Sequence, residues 1–296
     1  MASPLVQHQH LDLAQERSLR AAPRPFAIVQ SLQYLVYTAG AVATIGPVVW
    51  IVLLSFKTRR EFSNDPFALP EHFTFDNYVQ VFQQDDVLVF LTNSLITVAS
   101  ALAIVLVAST LAAYAIARIA FRGRNLLFMM FLIGDSIPLI IIVIPLFVLV
   151  DRIGLSGSRL SIILPYAAMN MGLSIYILRA FFRSIGSDIE DAARLDGCSL
   201  LQTIWYVILP MARPGLIVVA VINFISFWNE YFLATVLASS QSLFTLPAGL
   251  AATFVNKHDT NWPVMSAAVV LTLIPVIVLF SLAQDKIARG WTVSPR

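Results

Sequence analysis

The residues best equipped to do chemistry in this chain stand inside apolar surroundings. Asp135, Asn170, Asn223, Asn229 and Glu230 interrupt runs of aliphatic side chains, and Trp228 and Tyr231 flank the last pair. Amides, carboxylates and aromatic faces are the groups that hold a polar solute such as a sugar. The same groups also serve helix–helix hydrogen bonding and packing, the reading that suits Asn93 at a span end. Reaction chemistry is not expected. No Ser/His/Asp or Cys/His constellation occurs, and the acidic residues at depth lack a partner carboxylate at helical spacing. His8, His10, His72 and His258 make no metal-ligand spacing, and the single Cys198 excludes an internal disulfide. None of Lys57, Lys257 and Lys286 follows a glycine, so the loop that cradles phosphates is missing and any ATP must be bound by another chain.

The most ordered polar stretch is Ser187 to Pro214, SDIEDAARLDGCSLLQTIWYVILPMARP. Ser187 followed by Glu190 matches a capping box, which predicts a helix start there. Ile189, Ala192 and Ala193 then give a narrow apolar face of small side chains, suited to a groove on a partner. Asp196-Gly197 predicts a left-handed turn. After it Leu200, Leu201, Ile204, Trp205, Val207 and Ile208 form a second stripe, which Leu209-Pro210 stops. The spacing predicts a helix-turn-helix lying between membrane spans.

These elements belong to an integral membrane protein of the all-α class. Hydrophobic residues are 58% and charged residues 12%, with a mean hydropathy of +0.79, far more apolar than a soluble domain. The formal charge of +2 forms no nucleic-acid stripe. Six spans are predicted, near residues 35–56, 93–117, 126–150, 160–178, 216–236 and 264–282, each with the ~20 residues needed to cross ~30 Å of hydrocarbon. The first carries a kink signal at Gly46-Pro47, and the third is interrupted by Asp135 and Pro138. Residues 1–34 read as a cytoplasmic tail, 35–90 as the first span and an extracytoplasmic loop, 91–284 as the transmembrane module and 285–296 as a second cytoplasmic tail. With both termini inside, thirteen basic residues lie inside against six outside (Lys57, Arg59, Arg60, Arg152, Arg159 and Lys257), which places Ser187–Pro214 in the cytoplasm.

The string Asp191-Ala192-Ala193, Asp196-Gly197 and, after ten residues, Ile208-Leu209-Pro210 resembles the EAA loop of the permease subunits of bacterial binding-protein-dependent ABC importers. Asp191 stands where that family has glutamate, with Glu190 beside it. The segment Phe73 to Phe82 and the string Phe227-Trp228-Asn229-Glu230-Tyr231 resemble the carbohydrate branch, and the chain is most similar to the maltose-type G permease. The resemblance implies that Glu190, Asp191, Ala192, Ala193, Asp196, Gly197, Leu209 and Pro210 couple to an ATPase. It also implies that Asn170, Asn223, Trp228, Asn229, Glu230 and Tyr231 line a sugar path. The implied partners are a second homologous permease, two ATP-binding subunits that carry ATP and Mg, an extracytoplasmic solute-binding protein and lipid of the bacterial inner membrane. No cofactor is expected in this chain. Another polar solute (polyamine, phosphate ester or peptide) is the near alternative. The distant one is an ion-coupled secondary transporter using Asp135 and Glu230, which predicts inverted repeats and broken helices.

Overall fold

The computed structural model describes residues 25–83, 86–254 and 260–291, and side chains over 30–83, 86–253 and 260–284. The features read at His8, His10, Lys257, His258 and Asp259 lie outside these residues, as does the chain beyond Trp291. Among the described residues every regular element is helical.

The chain divides into two units, residues 1–53 and residues 54–296. In the first, helix α1 (Pro25–Leu54) continues through Pro47, and its Gln30–Leu54 stretch is long and apolar enough to cross a membrane. The second unit begins with a short polar segment carrying α2 (Arg59–Asn64) and α3 (Asp76–Phe82). Thr58 and Glu61 cap α2 reciprocally: Thr58 N donates to Glu61 Oε2 at 2.9 Å, and Glu61 N to Thr58 Oγ1 at 3.2 Å. Phe56 packs on Phe73, Phe75 and Tyr78. Lys57, a dissenter in the basic count, is only 2% exposed, and its ammonium donates to the Asp65 carbonyl at 2.7 Å. It is held as a structural group.

Helix α4 (Val87–Arg118) is the spine, 32 residues long and packed against five later α-helices. The next elements come as bent pairs. Helices α5 (Arg124–Asp135) and α6 (Leu139–Arg152) meet at 101°, and α7 (Leu160–Met169) and α8 (Met171–Ser184) at 45°. After α9 (Ser187–Leu195), α10 (Leu200–Met211) meets α11 (Arg213–Asn229) at 75°. The first bend was expected, because Pro138 disfavours helix at Ile137 and removes a donor. The second corrects the reading of an uninterrupted fourth span, because Asn170 leaves helical geometry with φ −101° and ψ 13°; the third falls at Ala212, with φ −83° and ψ 2°, beside the stop read at Leu209-Pro210. The predicted span to Val236 also stops early, since Glu230 is extended and α12 (Phe232–Leu237) starts afresh. Helices α13 (Leu246–Phe254) and α14 (Trp262–Trp291) follow, so the predicted tail from residue 285 begins within a helix. Broken helices, a feature the secondary-transporter alternative also predicts, are present.

Two buried clusters hold the second unit together. One surrounds Phe90, Tyr166, Trp228 and Leu233. The other joins Tyr114 and Ile116 of α4, Leu178 and Phe182 of α8, and Ile204 and Ile208 of α10. Lipid tails are as apolar as leucine, so close packing and internal hydrogen bonds must supply the cohesion here. Gly172 shows how close the packing is: a Cβ there would meet the Phe131 carbonyl oxygen and lie 2.9 Å from the Asp135 carboxyl carbon. Only glycine lets α5 approach the start of α8.

Candidate functional site

The helix-turn-helix at Ser187–Pro214 is present, and its turn is the one predicted. Gly197 has φ +85°, a region that disfavours any side chain with a Cβ. Around it Cys198 N donates to Ala193 O and Gly197 N to Arg194 O, both at 3.0 Å, the paired bonds of a Schellman ending. Asp196 caps α9 and is exposed.

The start of α9 corrects the expected capping box. Its N-cap is Gly186, without a side-chain bond, and Glu190 turns inward. Glu190 is 5% exposed, with Oε1 2.9 Å from Arg118 Nε and Oε2 accepting from Tyr114 Oη at 3.3 Å. Arg118 also donates to the carbonyl of Ile185, the C-cap of α8, so one guanidinium at the end of α4 ties α9 to the end of α8. The fork shape of arginine suits this double duty. Glu190 is therefore no outward contact. A real capping box lies one element later, where Ser199 N donates to Gln202 Oε1 at 2.8 Å and Gln202 N to Ser199 Oγ.

The two apolar faces also come out differently. Ala193 is buried and Ile189 half-buried, both turned to the bundle, while Ala192 is exposed. Of the second stripe only Ile204 and Ile208 reach the core, and Val207, Leu209 and Pro210 are half-buried. Thr203–Ile208 is wound as a π-helix, which shifts the stripe out of α register. The result is an exposed apolar rim: Leu195 is 89% exposed, Tyr206 77% and Leu201 63%, and Leu200 and Trp205 are exposed too. Asp191, outward and 3.5 Å from Arg194, adds charge to it.

The membrane-depth residues scatter over several roles. Trp228 is 1% exposed, stacks on Phe224 with ring centroids 5.6 Å apart and donates from Nε1 to Thr272 O at 2.9 Å. It is packing in this structure, not a stacking face. Asn223 is buried and donates to Ser174 Oγ at 2.9 Å and Val219 O at 2.8 Å. Glu230 accepts from Tyr166 Oη at 2.7 Å, Leu233 N at 2.8 Å and Ala234 N at 3.1 Å, so its carboxylate closes the break before α12. Asn93 bridges Ser242 O and Phe244 O to Arg159, as helix–helix bonding predicts. Asn229, Tyr231 and Asn170 stay accessible: Asn229 is exposed, Tyr231 is 54% exposed beside Pro247 and Met265, and Asn170 donates to Ser226 Oγ at a helix break. Among the described residues no His/Cys/Asp/Glu group has the arrangement of a metal site. Sequence reasoning missed the Glu190 clamp, because Tyr114 lies 76 residues away and no local pattern announces it.

Comparison with known proteins places this geometry. Residues 104–293 match the family described as "Binding-protein-dependent transport system inner membrane component". The diacetylchitobiose uptake system permease protein NgcG of Streptomyces coelicolor is 33% identical over 273 residues, covering 92% of this chain and 89% of that one. The trehalose transport system permease protein SugB of Mycobacterium tuberculosis is 37% identical over 249 residues, covering 83% and 90%. A solved bacterial ABC transporter involved in import of the acidic polysaccharide alginate superposes with a TM-score of 0.80 over 89% of this chain and 98% of that one, at 24% identity, a likeness of fold. The chain thus belongs to the family of binding-protein-dependent transport system inner membrane components.

Proposed function

We propose that this chain is one of two permease subunits of an ATP-driven importer for a sugar, and that Ser187–Pro214 is where a separate ATPase docks. The observation that carries the reading is the two-sided build of α9 and α10. Their inner side is pinned to α4 by Arg118 and Glu190, and their outer side leaves Leu195, Leu201 and Tyr206 in water. A rigid element with a greasy outer face is what a partner needs if its motion is to reach the spans. The surplus of basic residues on this side supports a cytoplasmic position for the loop and both termini. The trehalose and diacetylchitobiose in the relatives' names support sugar as the solute, delivered by a binding protein from outside. Asn170, Asn229 and Tyr231, accessible at breaks, are the path residues we carry forward.

The three bent pairs would equally suit an ion-coupled carrier, so the test must separate the two. Uptake of labelled trehalose and diacetylchitobiose is measured in cells expressing the chain with the permease, ATPase and binding protein encoded beside it. We expect uptake that vanadate abolishes and a protonophore leaves intact at fixed ATP. Uptake that follows the proton gradient and ignores vanadate rejects the importer reading.

A further inference from the structure

Two of the helix breaks meet at one cavity. Its volume is about 840 Å³, and its walls include Gly134, Asp135, Ser136, Pro138, Asn170 and Gly172. Asp135 is the only charged residue among those lining it, and no lysine, arginine or histidine faces it. Asp135 ends the 12-residue helix α5, and Met171 starts the 14-residue helix α8. At ~1.5 Å per residue both breaks lie some ~20 Å from the far helix ends, near the middle of a ~30 Å hydrocarbon layer. Broken backbone at that depth is tolerated only against protein or water, and a carboxylate there faces lipid only at high cost. Asp135 and Ser136 are exposed in this chain, and the cost of a carboxylate against lipid argues that this wall faces a wet space.

The charge of that space is set by one contact. The N-terminus of α8 points into the cavity, and free helix N–H groups there would attract an anion. Asp135 already occupies them, its Oδ2 accepting from Leu173 N. One N–H of the Asn170 amide is likewise taken by Ser226. The charge a solute meets there is that of the Asp135 carboxylate, in a low-dielectric cleft that focuses its field. We propose that this cavity is an anion-excluding section of the solute path, passing sugars that are uncharged or cationic and rejecting uronates, sulfonates and phosphate esters. This inference rests on the importer reading above.

The test reads charge selection without knowing the solute. In a Cys198→Ser background, Ser136→Cys is introduced and the complete importer is placed in proteoliposomes. Labelling rates are compared for two methanethiosulfonate reagents of similar size, one bearing trimethylammonium and one sulfonate, each normalised to its rate with a small free thiol. We expect the cationic reagent to lead by ~10-fold, the low end of electrostatic focusing in clefts. Asp135→Asn should bring the ratio near one. Asn170→Cys, with Asp135 intact, is a second reporter that must show the same preference, so the proposal stays testable where Asp135→Asn does not assemble. Trapping with ATP and vanadate should change both rates, as for any position on an alternating path. Equal normalised rates overturn the proposal, as do a ratio indifferent to Asp135→Asn, rates indifferent to trapping, or protection from both reagents in folded but not denatured protein. Equal rates in an importer with vanadate-sensitive uptake sink the charge selection alone, whereas proton-driven uptake sinks the importer reading.

Discussion

Arg118 and Glu190 form an ion pair with little water on either side, their side chains 15% and 7% exposed. Removing one partner of such a pair leaves the other charge stranded, at a cost of ~3–5 kcal/mol. Glu190→Gln should therefore loosen α9 from α4 without disturbing insertion. The measurement is co-purification of the ATPase, expected to fall several-fold, together with faster tryptic cleavage at the now mobile Arg194. Wild-type values for both would mean the clamp is dispensable. Gly197 is the second residue of consequence. At φ +85° a β-branched side chain is strained by ~1–2 kcal/mol, so Gly197→Val should insert normally yet hydrolyse ATP with little uptake. The ratio of ATP hydrolysed to sugar moved is the readout, and an unchanged ratio rejects the turn's role. Gly197 was legible because the chemistry of a left-handed turn is local. The role of Glu190 was not, since its environment is made by a residue at the end of another helix, and the Ser187 pattern pointed to a cap the chain does not use.

At the scale of elements, the close approach of α5 and α8 depends on a missing methyl group. Gly172→Ala would push a Cβ against the Phe131 carbonyl and the Asp135 carboxyl, and backbone cannot retreat as a side-chain tip can. Overpacking of this kind costs ~1–3 kcal/mol. The purified complex should melt several degrees lower, whereas Gly46→Ala, inside α1 where a Cβ meets nothing within 4 Å, should not. Equal melting of the two would refute the tight junction. The existence of the spans was legible from apolar run length, and the α5–α6 break from Pro138. The breaks at Asn170 and Glu230 were not, because neither residue forbids helix. They open where Asp135 serves the freed N–H groups of α8 and Glu230 those of α12, pairings that only the assembled bundle creates. The π-wound turn at Thr203–Ile208 was hidden for the same reason: a periodicity count assumes one winding throughout.

For the molecule as a whole, the prediction that matters is sidedness. Cys198, half-buried beside Gly197, is the single thiol, so one reagent reads one place. An impermeant maleimide should label inside-out vesicles stripped of the ATPase, slow when the ATPase rebinds, and leave right-side-out vesicles unlabelled until denatured. Maleimide attacks through the thiolate, so the rate is read at mildly alkaline pH. Labelling from outside would invert the topology. The rim around that thiol carries a further implication. Leu195, Leu201 and Tyr206 are exposed apolar side chains, the kind of surface that folded monomers avoid and that proteostasis machinery recognises. On the docking proposed above, a copy of this chain without the ATPase would advertise its own incompleteness. Cellular levels of the subunit should be set by the supply of the partner that hides these side chains, with orphans degraded first, so that stoichiometry is enforced by the greasiness of a single loop.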